Sequence, residues 1–302
     1  MKNKKTLGYF QLSMGMILAG SSVVVGRMLN SYPIFFVVDI SLFIAFISIL
    51  PIASIAEGKI NIRDVKKSDW KFILFQCLAG IVFFRIFMML GVKYTSAVKS
   101  GIVLSTTPAV LAVLARVFLK ERLTKIMSLG VAVCVAGILL INLGKGQLGG
   151  INGKEMLGMF FIFLSVVSEA MFTIFRKKQS VNEKPLTSTF YVMFMAFVIL
   201  LPFGIYEYIN MDKHLLSISL VLPLLYYGMF ASSLAYVCWF SGLAKVAANQ
   251  AAGFTGLMPV SSVVLACIVL GESIKPIYIA GMALIFAGIH LITNVQKNID
   301  NS

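Results

Sequence analysis

The chain has 302 residues, 59% of them hydrophobic and 13% charged, with a formal net charge of +14 and a mean hydropathy of +0.93. A water-soluble domain of this length needs more polar surface than that, which excludes the soluble enzyme and soluble binding-protein classes. The basic excess invites a nucleic-acid partner, but the placement of the lysines and arginines argues against one.

The apolar residues come in blocks. A run of about 20 apolar residues spans a bilayer as a helix, and these runs lack the alternation of membrane-barrel strands. The first run, 7–26, follows Lys2, Lys4 and Lys5; it is long for a signal-peptide core and reads as a retained helix. The second, 33–56, contains Asp39, and the third, 70–92, contains Cys77 and Arg85. The fourth, 96–119, contains Lys99 near its start, then Ser105, Thr106 and Thr107 before Pro108, and ends beyond Arg116 on Lys120, Glu121 and Arg122. The fifth, 125–144, holds Cys134, and the sixth, 154–175, holds Glu169. After the seventh, 186–206, the eighth, 218–243, carries Tyr236, Cys238 and Trp239, and the ninth, 247–270, carries Asn249, Gln250, Thr255, Pro259 and Cys267. Glu272 leads into the tenth, 276–295, which holds His290. The expected fold is therefore an all-α polytopic membrane protein of ten transmembrane helices, its loops too short to hold a soluble catalytic domain.

With the N-terminus inside the cell, the inner segments hold Lys66, Lys67, Lys120, Arg122, Lys125, Arg176, Lys177 and Lys178, whereas the outer ones hold few cations, such as Lys93 and Lys145. This positive-inside bias places both termini in the cytoplasm of a cell-membrane protein. It accounts for the net charge by topology and lipid contact, with no nucleic-acid partner. The four cysteines have no metal-motif spacing and read as small packing residues. His290 reads as a core histidine, and with only His214 besides, no metal site is expected, nor any cofactor.

A shift of 151 residues lays Gly91 on Gly242, Pro108 on Pro259, Leu119 on Leu270, Glu121 on Glu272, Gly130 on Gly281 and Gly137 on Gly288. "STTPAVLAVLARVFLKER" (105–122) thus recurs as "GLMPVSSVVLACIVLGES" (256–273). Two halves follow, 1–146 and 147–302, of five helices each. Five is odd, so the second half enters the membrane from the opposite side. The charges agree: Lys120, Arg122 and Lys125 surround the first glutamate, on the inner side, and Lys275 stands beside the second, on the outer. Inverted repeats are an architecture of secondary transporters, with the substrate site near the midplane between the halves. Glu121 and Glu272, at opposite surfaces, read as turn and cap residues.

The same residues carry a family resemblance. "LSTTPAVLAVLARVFLKERLT" and "LMPVSSVVLACIVLGESI", with "LGVKYTSAVKSGIV", "GVAVCVAGILLI", "AGSSVVVG" and "SEAMFTIFRK", resemble the EamA-type branch of the drug/metabolite transporter superfamily. The resemblance implies ten helices in two inverted five-helix repeats, a central cavity, and movement of small metabolites, often outward, including amino acids. The chain departs from the family pattern at Ala19, where a tryptophan is usual, and at Ser41, where an arginine is frequent and Asp39 stands two residues before.

Ionisable groups inside a membrane are costly and suspect as functional. At 1.5 Å rise per residue, Asp39 and Arg85 lie roughly 10 Å in from the outer ends of their helices, and Glu169 roughly 10 Å from its inner end. Lys99 lies one turn in and can snorkel. One reading pairs Asp39 with Arg85 and Glu169 with Arg116 as structural ion pairs. The other gives Arg85 or Lys99 a substrate carboxylate, and Glu169 an amine or a coupling proton. Tyr236, Trp239, Asn249, Gln250, Ser105 and Thr106 join them as substrate-binding candidates, while Pro108 and Pro259 read as kink residues. The expected function is secondary transport, as an exporter, of a small polar or zwitterionic metabolite, with proton coupling and a homodimer as further expectations. Transport of organic anions or lipid-linked sugars, and a non-transport membrane enzyme or sensor, are the alternatives.

Overall fold

A computed structural model describes residues 2–62, 65–120, 125–143, 153–178, 184–212, 218–245 and 253–300. Among the described residues the fold is all-helical. α1 (Lys2–Met28) and α2 (Ile34–Glu57) are continuous. The third segment runs as α3 (Trp70–Gln76), a π-helical stretch (Cys77–Phe83) and α4 (Phe84–Tyr94), and the fourth as α5 (Ala97–Leu104) and α6 (Thr107–Phe118). Then come α7 (Lys125–Leu143), α8 (Gly153–Lys178) and α9 (Pro185–Asn210). The eighth segment is α10 (Ile218–Tyr226), a second π-helical stretch (Tyr227–Leu234) and α11 (Ala235–Leu243); a 3-10 turn (Gly253–Gly256) leads into α12 (Leu257–Leu270), and α13 (Pro276–Asp300) closes the chain.

Seven of these segments are long and apolar enough to cross a membrane, and three more stretches, Lys125–Gly137, Leu257–Leu270 and Pro276–Leu291, are apolar but shorter. The shorter ones coincide with the expected fifth, ninth and tenth spans. Of the ninth, the described residues begin with the 3-10 turn Gly253–Gly256 ahead of α12. Large apolar side chains point outward all round the bundle, among them Ile55 (87% exposed), Ile268 (73%) and Leu222 (63%), as helices facing lipid require. His290 is exposed, not part of the core.

Packing partners recur at the same spacing as the sequence matches. α4 lies on α8 and α1 on α11; α6 lies on α8 and α1 on α12; α2 lies on α9, α5 on α12, and α7 on α13. Glycines set the closest crossings. A Cβ at Gly137 would lie 2.8 Å from the Gly281 carbonyl oxygen, and one at Gly288 would lie 2.5 Å from that of Gly130. Likewise a Cβ at Gly91 would lie 3.1 Å from the Gly158 carbonyl, and one at Gly242 3.0 Å from that of Gly8. Without a hydrophobic drive between helices in lipid, such close backbone contact is what holds them. Gly288→Leu is therefore expected to destabilise the α7–α13 pair by about 1–3 kcal/mol through overpacking. Gly153→Ala, where the added carbon meets nothing within 4 Å, serves as the neutral comparison. Thermal unfolding in detergent reads both.

Carboxylates close the helix starts from neighbouring elements. Glu272 accepts from the Ala97 and Val98 N–H groups at 3.0 and 2.8 Å. It thus caps α5 across the bundle and not the helix it precedes. Its sequence counterpart Glu121 lies outside the described residues. Glu57, at the end of α2, accepts from Leu186 N and Thr187 N at the start of α9, while Glu207, near the end of α9, accepts from Phe36 N at the start of α2.

Candidate functional site

Arg85 lies in the first turn of α4, two residues beyond the first π-helical stretch. A π turn shifts the phase of every side chain after it and here delivers the arginine to the interior, where it is 5% exposed. Nη1 donates to the Ser41 hydroxyl at 2.6 Å, Nη2 donates to Ser232 Oγ, and the guanidinium carbon lies 4.7 Å from the centre of the Tyr227 ring. Both serines are oriented for this. Ser41 donates its own proton to the Val38 carbonyl and Ser232 donates to the Tyr227 carbonyl, so the lone pairs remain for the arginine. Ser232 and Tyr227 belong to the second π-helical stretch, which packs on α2. Among the described residues no carboxylate pairs with Arg85. A buried guanidinium with five N–H donors, two of them used on neutral hydroxyls, is a strong anion acceptor.

Glu169, half-buried on α8, faces the break between α5 and α6, where Thr107 Oγ1 lies 3.1 Å from its carboxylate. The Thr107 hydroxyl also lies 2.7 Å from the Leu104 carbonyl oxygen. It has one proton for these two acceptors. Tyr236 lies on α11. Its ring packs edge-on against Phe172 and stacks on Phe240. A small crevice of about 10 Å³ adjoins this tyrosine, lined also by Gln76, Phe172, Arg176, Thr189 and Phe240. Arg176 donates to Ser188 Oγ at 3.0 Å there. The interior thus offers a cation at Arg85, an acid at Glu169 and the aromatic face of Tyr236.

Neither expected ion pair forms. Asp39 is buried at 3% exposure, and its Oδ1 has no hydrogen-bond partner. Its carboxylate presses on α9, where a Cβ at Gly204 would lie 2.9 Å from Oδ2. Residues two apart on a helix do not share a face, so Ser41 meets Arg85 while Asp39 turns to α9. Glu169 meets Thr107 and not Arg116. Lys99 forms an ion pair with Glu155 at the start of α8 and lies over the Tyr278 ring, which takes it out of the Arg85 centre. Trp239 packs with Leu12, Tyr9, Leu243 and Phe254 in an apolar cluster. Ser105 and Thr106 donate to the Ile102 and Val103 carbonyls; they close the end of α5 at the break before Pro108. Pro259 is buried in the first turn of α12. Asn249 and Gln250 lie outside the described residues.

The sequence reading missed Ser41 and Ser232 as the arginine's partners, along with Tyr227, Phe172 and Gln76. Ser41 carried a signal, as the small hydroxyl residue at a position where the resembling family favours arginine. A lone serine in an apolar run otherwise announces nothing.

A family model described as the EamA-like transporter family matches residues 6–143 and again residues 156–294. The chain is 32% identical to the uncharacterized transporter YetK of Bacillus subtilis, over 97% of this chain and 89% of that one. It is 23% identical to a protein of Streptantibioticus cattleyicolor named "Probable terminal-alkyne amino-acid exporter", over 79% of this chain and 78% of that one. Among solved structures, one crystal structure aligns over 99% of both chains with a TM-score of 0.65 at 14% identity, a likeness of fold alone.

Proposed function

Because the chain belongs to the EamA-like transporter family, we propose that it is a secondary transporter that exports a small zwitterionic, amino-acid-like metabolite. The observation that carries this reading is the pair of opposite charges, Arg85 and Glu169, whose side-chain hydrogen bonds among the described residues go to hydroxyls and not to each other or to another charge. A carboxylate on Arg85 and an ammonium on Glu169 complete both charges at once, and the flanking aromatic rings receive an apolar side chain. The amino-acid exporter among the relatives is consistent with this class of cargo.

In this proposal the chain crosses the cell membrane ten times as two inverted five-helix repeats, 1–146 and 147–302, with both termini cytoplasmic. Support comes from the packing pairs and glycine crossings that recur at the repeat spacing, and from the two π-helical stretches, Cys77–Phe83 and Tyr227–Leu234, at equivalent places. The charged centre lies between the repeats, where rocking of one against the other opens it to each side in turn. A second reading, transport of a plain organic anion, is favoured by the absence of any carboxylate on Arg85 among the described residues.

Flux into and out of proteoliposomes tests this, with a panel of amino acids, their des-amino and des-carboxy analogues, and organic anions. The expected result is transport of the zwitterions and loss of transport for both truncated analogues. Transport of the des-amino acids at an undiminished rate gives the anion reading. A covalently altered product without flux overturns both.

A further inference from the structure

We propose that the end of the bundle where α2 begins and α9 ends binds the headgroup of a phospholipid carrying a primary ammonium and a phosphate, of the phosphatidylethanolamine class. This requires only that the chain sits in a bilayer and is independent of what it transports. A pocket of about 200 Å³ opens there, lined by Tyr32, Ile34, Phe35, Ile86, Lys93 and Glu207. Its lining is largely apolar, with one cation, Lys93, and one carboxylate, Glu207.

The two surfaces of the bundle carry the same carboxylate cap with different completeness. At one, Glu57 takes three donors: Leu186 N on one oxygen, and both Thr187 N and Thr187 Oγ1 on the other, each at 2.9 Å. At the other, Glu207 takes Phe36 N alone, at 2.9 Å on Oε2. A shift of 150 residues lays Thr187 on Val37, which has no hydroxyl and whose N–H goes to the Pro33 carbonyl. Glu207 therefore keeps one carboxylate oxygen without a partner among the described residues, in the wall of a pocket. Lys93 lines the same pocket, is exposed, and pairs with neither Glu207 nor any other described carboxylate. A shift of 151 residues puts Ala244 at its counterpart, so the cation at this position is not repeated.

The level of the pocket points to lipid. Tyr94, at the end of α4, and Tyr206 and Tyr208, at the end of α9, are exposed at this end of the bundle, where tyrosines sit at headgroup depth. Farther along α9 and α2 the outward side chains are Ile205, Phe203, Phe43 and Ile47, a surface for acyl chains. An ethanolamine ammonium donates to the unfilled oxygen of Glu207, and the adjacent phosphate takes Lys93. A choline headgroup has no N–H to donate, and a glycerol headgroup brings no cation to Glu207.

Native mass spectrometry of the detergent-purified full chain, titrated with phosphatidylethanolamine, phosphatidylcholine and phosphatidylglycerol of matched acyl chains, tests the proposal. The expected result is retention of the ethanolamine lipid at about tenfold lower concentration than the other two, the effect of one charge-assisted hydrogen bond. Glu207→Gln removes that preference, whereas Lys93→Gln weakens retention of all three lipids, each of which carries the phosphate. In Glu207→Gln the new amide oxygen still accepts from Phe36 N, so the α2 cap survives. Equal retention of the three lipids by the wild type overturns the proposal, and so does a preference that persists in Glu207→Gln or retention that is unchanged in Lys93→Gln. Displacement of the lipid by a free amino acid assigns the pocket to the transport route and overturns it too. None of these outcomes bears on flux through the Arg85 centre.

Discussion

Arg85→Gln abolishes substrate flux while the protein accumulates in the membrane and melts no lower than the wild type. The two halves of this expectation come from different physics. A guanidinium buried on neutral hydroxyls holds an uncompensated charge in low dielectric, and that charge costs the empty protein free energy. Glutamine removes the charge and still donates to Ser41 or Ser232, so the empty state is relieved or unchanged. The substrate-bound state loses a charge-assisted, bidentate contact. Truncating one member of a buried hydrogen-bonded charge pair costs about 2–5 kcal/mol, or roughly thirty- to several thousand-fold in affinity. Arg85→Lys keeps the charge and loses the planar fork, and partial flux is expected from it. The measurements are proteoliposome flux and thermal unfolding on the same preparations. A variant that fails to accumulate, or melts well below the wild type, gives Arg85 a structural role instead and removes it from the site. Serine partners sharpen the test. Ser232→Ala leaves the guanidinium one acceptor short, and a rise in substrate affinity is expected because the empty state is raised and the bound state is not.

The helical architecture was legible because it is written in redundant signals. Apolar runs, charge asymmetry and a repeat of 151 residues each report the same bundle, and a mistake in one does not move the others. Even the glycines at 130, 137, 281 and 288 were visible as matched positions, although only the structure reveals that Gly137 meets Gly281 and Gly288 meets Gly130. The charged residues of the site were legible too, since a charge inside an apolar run stands out. Their partners were not. Pairing Asp39 with Arg85 followed from equal depth, but depth is only one coordinate; the face of the helix is the other. The two π-helical stretches change the face of everything after them, and no composition signal marks where the extra residue falls. Lys99 shows the same limit. Its partner Glu155 stands at the very start of α8, where the sequence places an ordinary solvated helix end. The capping role of Glu272 was readable from its place at a turn, yet its target, the first turn of α5, lies 175 residues away and belongs to tertiary structure alone.

Glu169→Gln removes the pH dependence of transport and the ability of a proton gradient to drive accumulation. Thr107 carries one hydroxyl proton and has two acceptors, the Leu104 carbonyl at 2.7 Å and the Glu169 carboxylate at 3.1 Å. When Glu169 is ionised the proton goes to the carboxylate, and the Leu104 carbonyl is left at the open end of α5. When Glu169 is protonated it donates to Thr107 Oγ1, and Thr107 returns its proton to Leu104. Protonation therefore tightens the break between α5 and α6, the segment that carries Pro108. Glutamine holds this second arrangement permanently, because its amide donates to Thr107 at any pH. Counterflow exchange of labelled substrate, which needs no net proton movement, separates the two duties assigned to the acid. If exchange persists in Glu169→Gln while gradient-driven accumulation is lost, the residue carries the proton. If exchange falls about a hundredfold with it, the residue also holds the substrate ammonium, since a lost buried charge pair is worth about that much. Unchanged accumulation with an unchanged pH profile removes Glu169 from the mechanism. The substrate's charges then meet Arg85 alone, and the anion reading takes the place of the zwitterion.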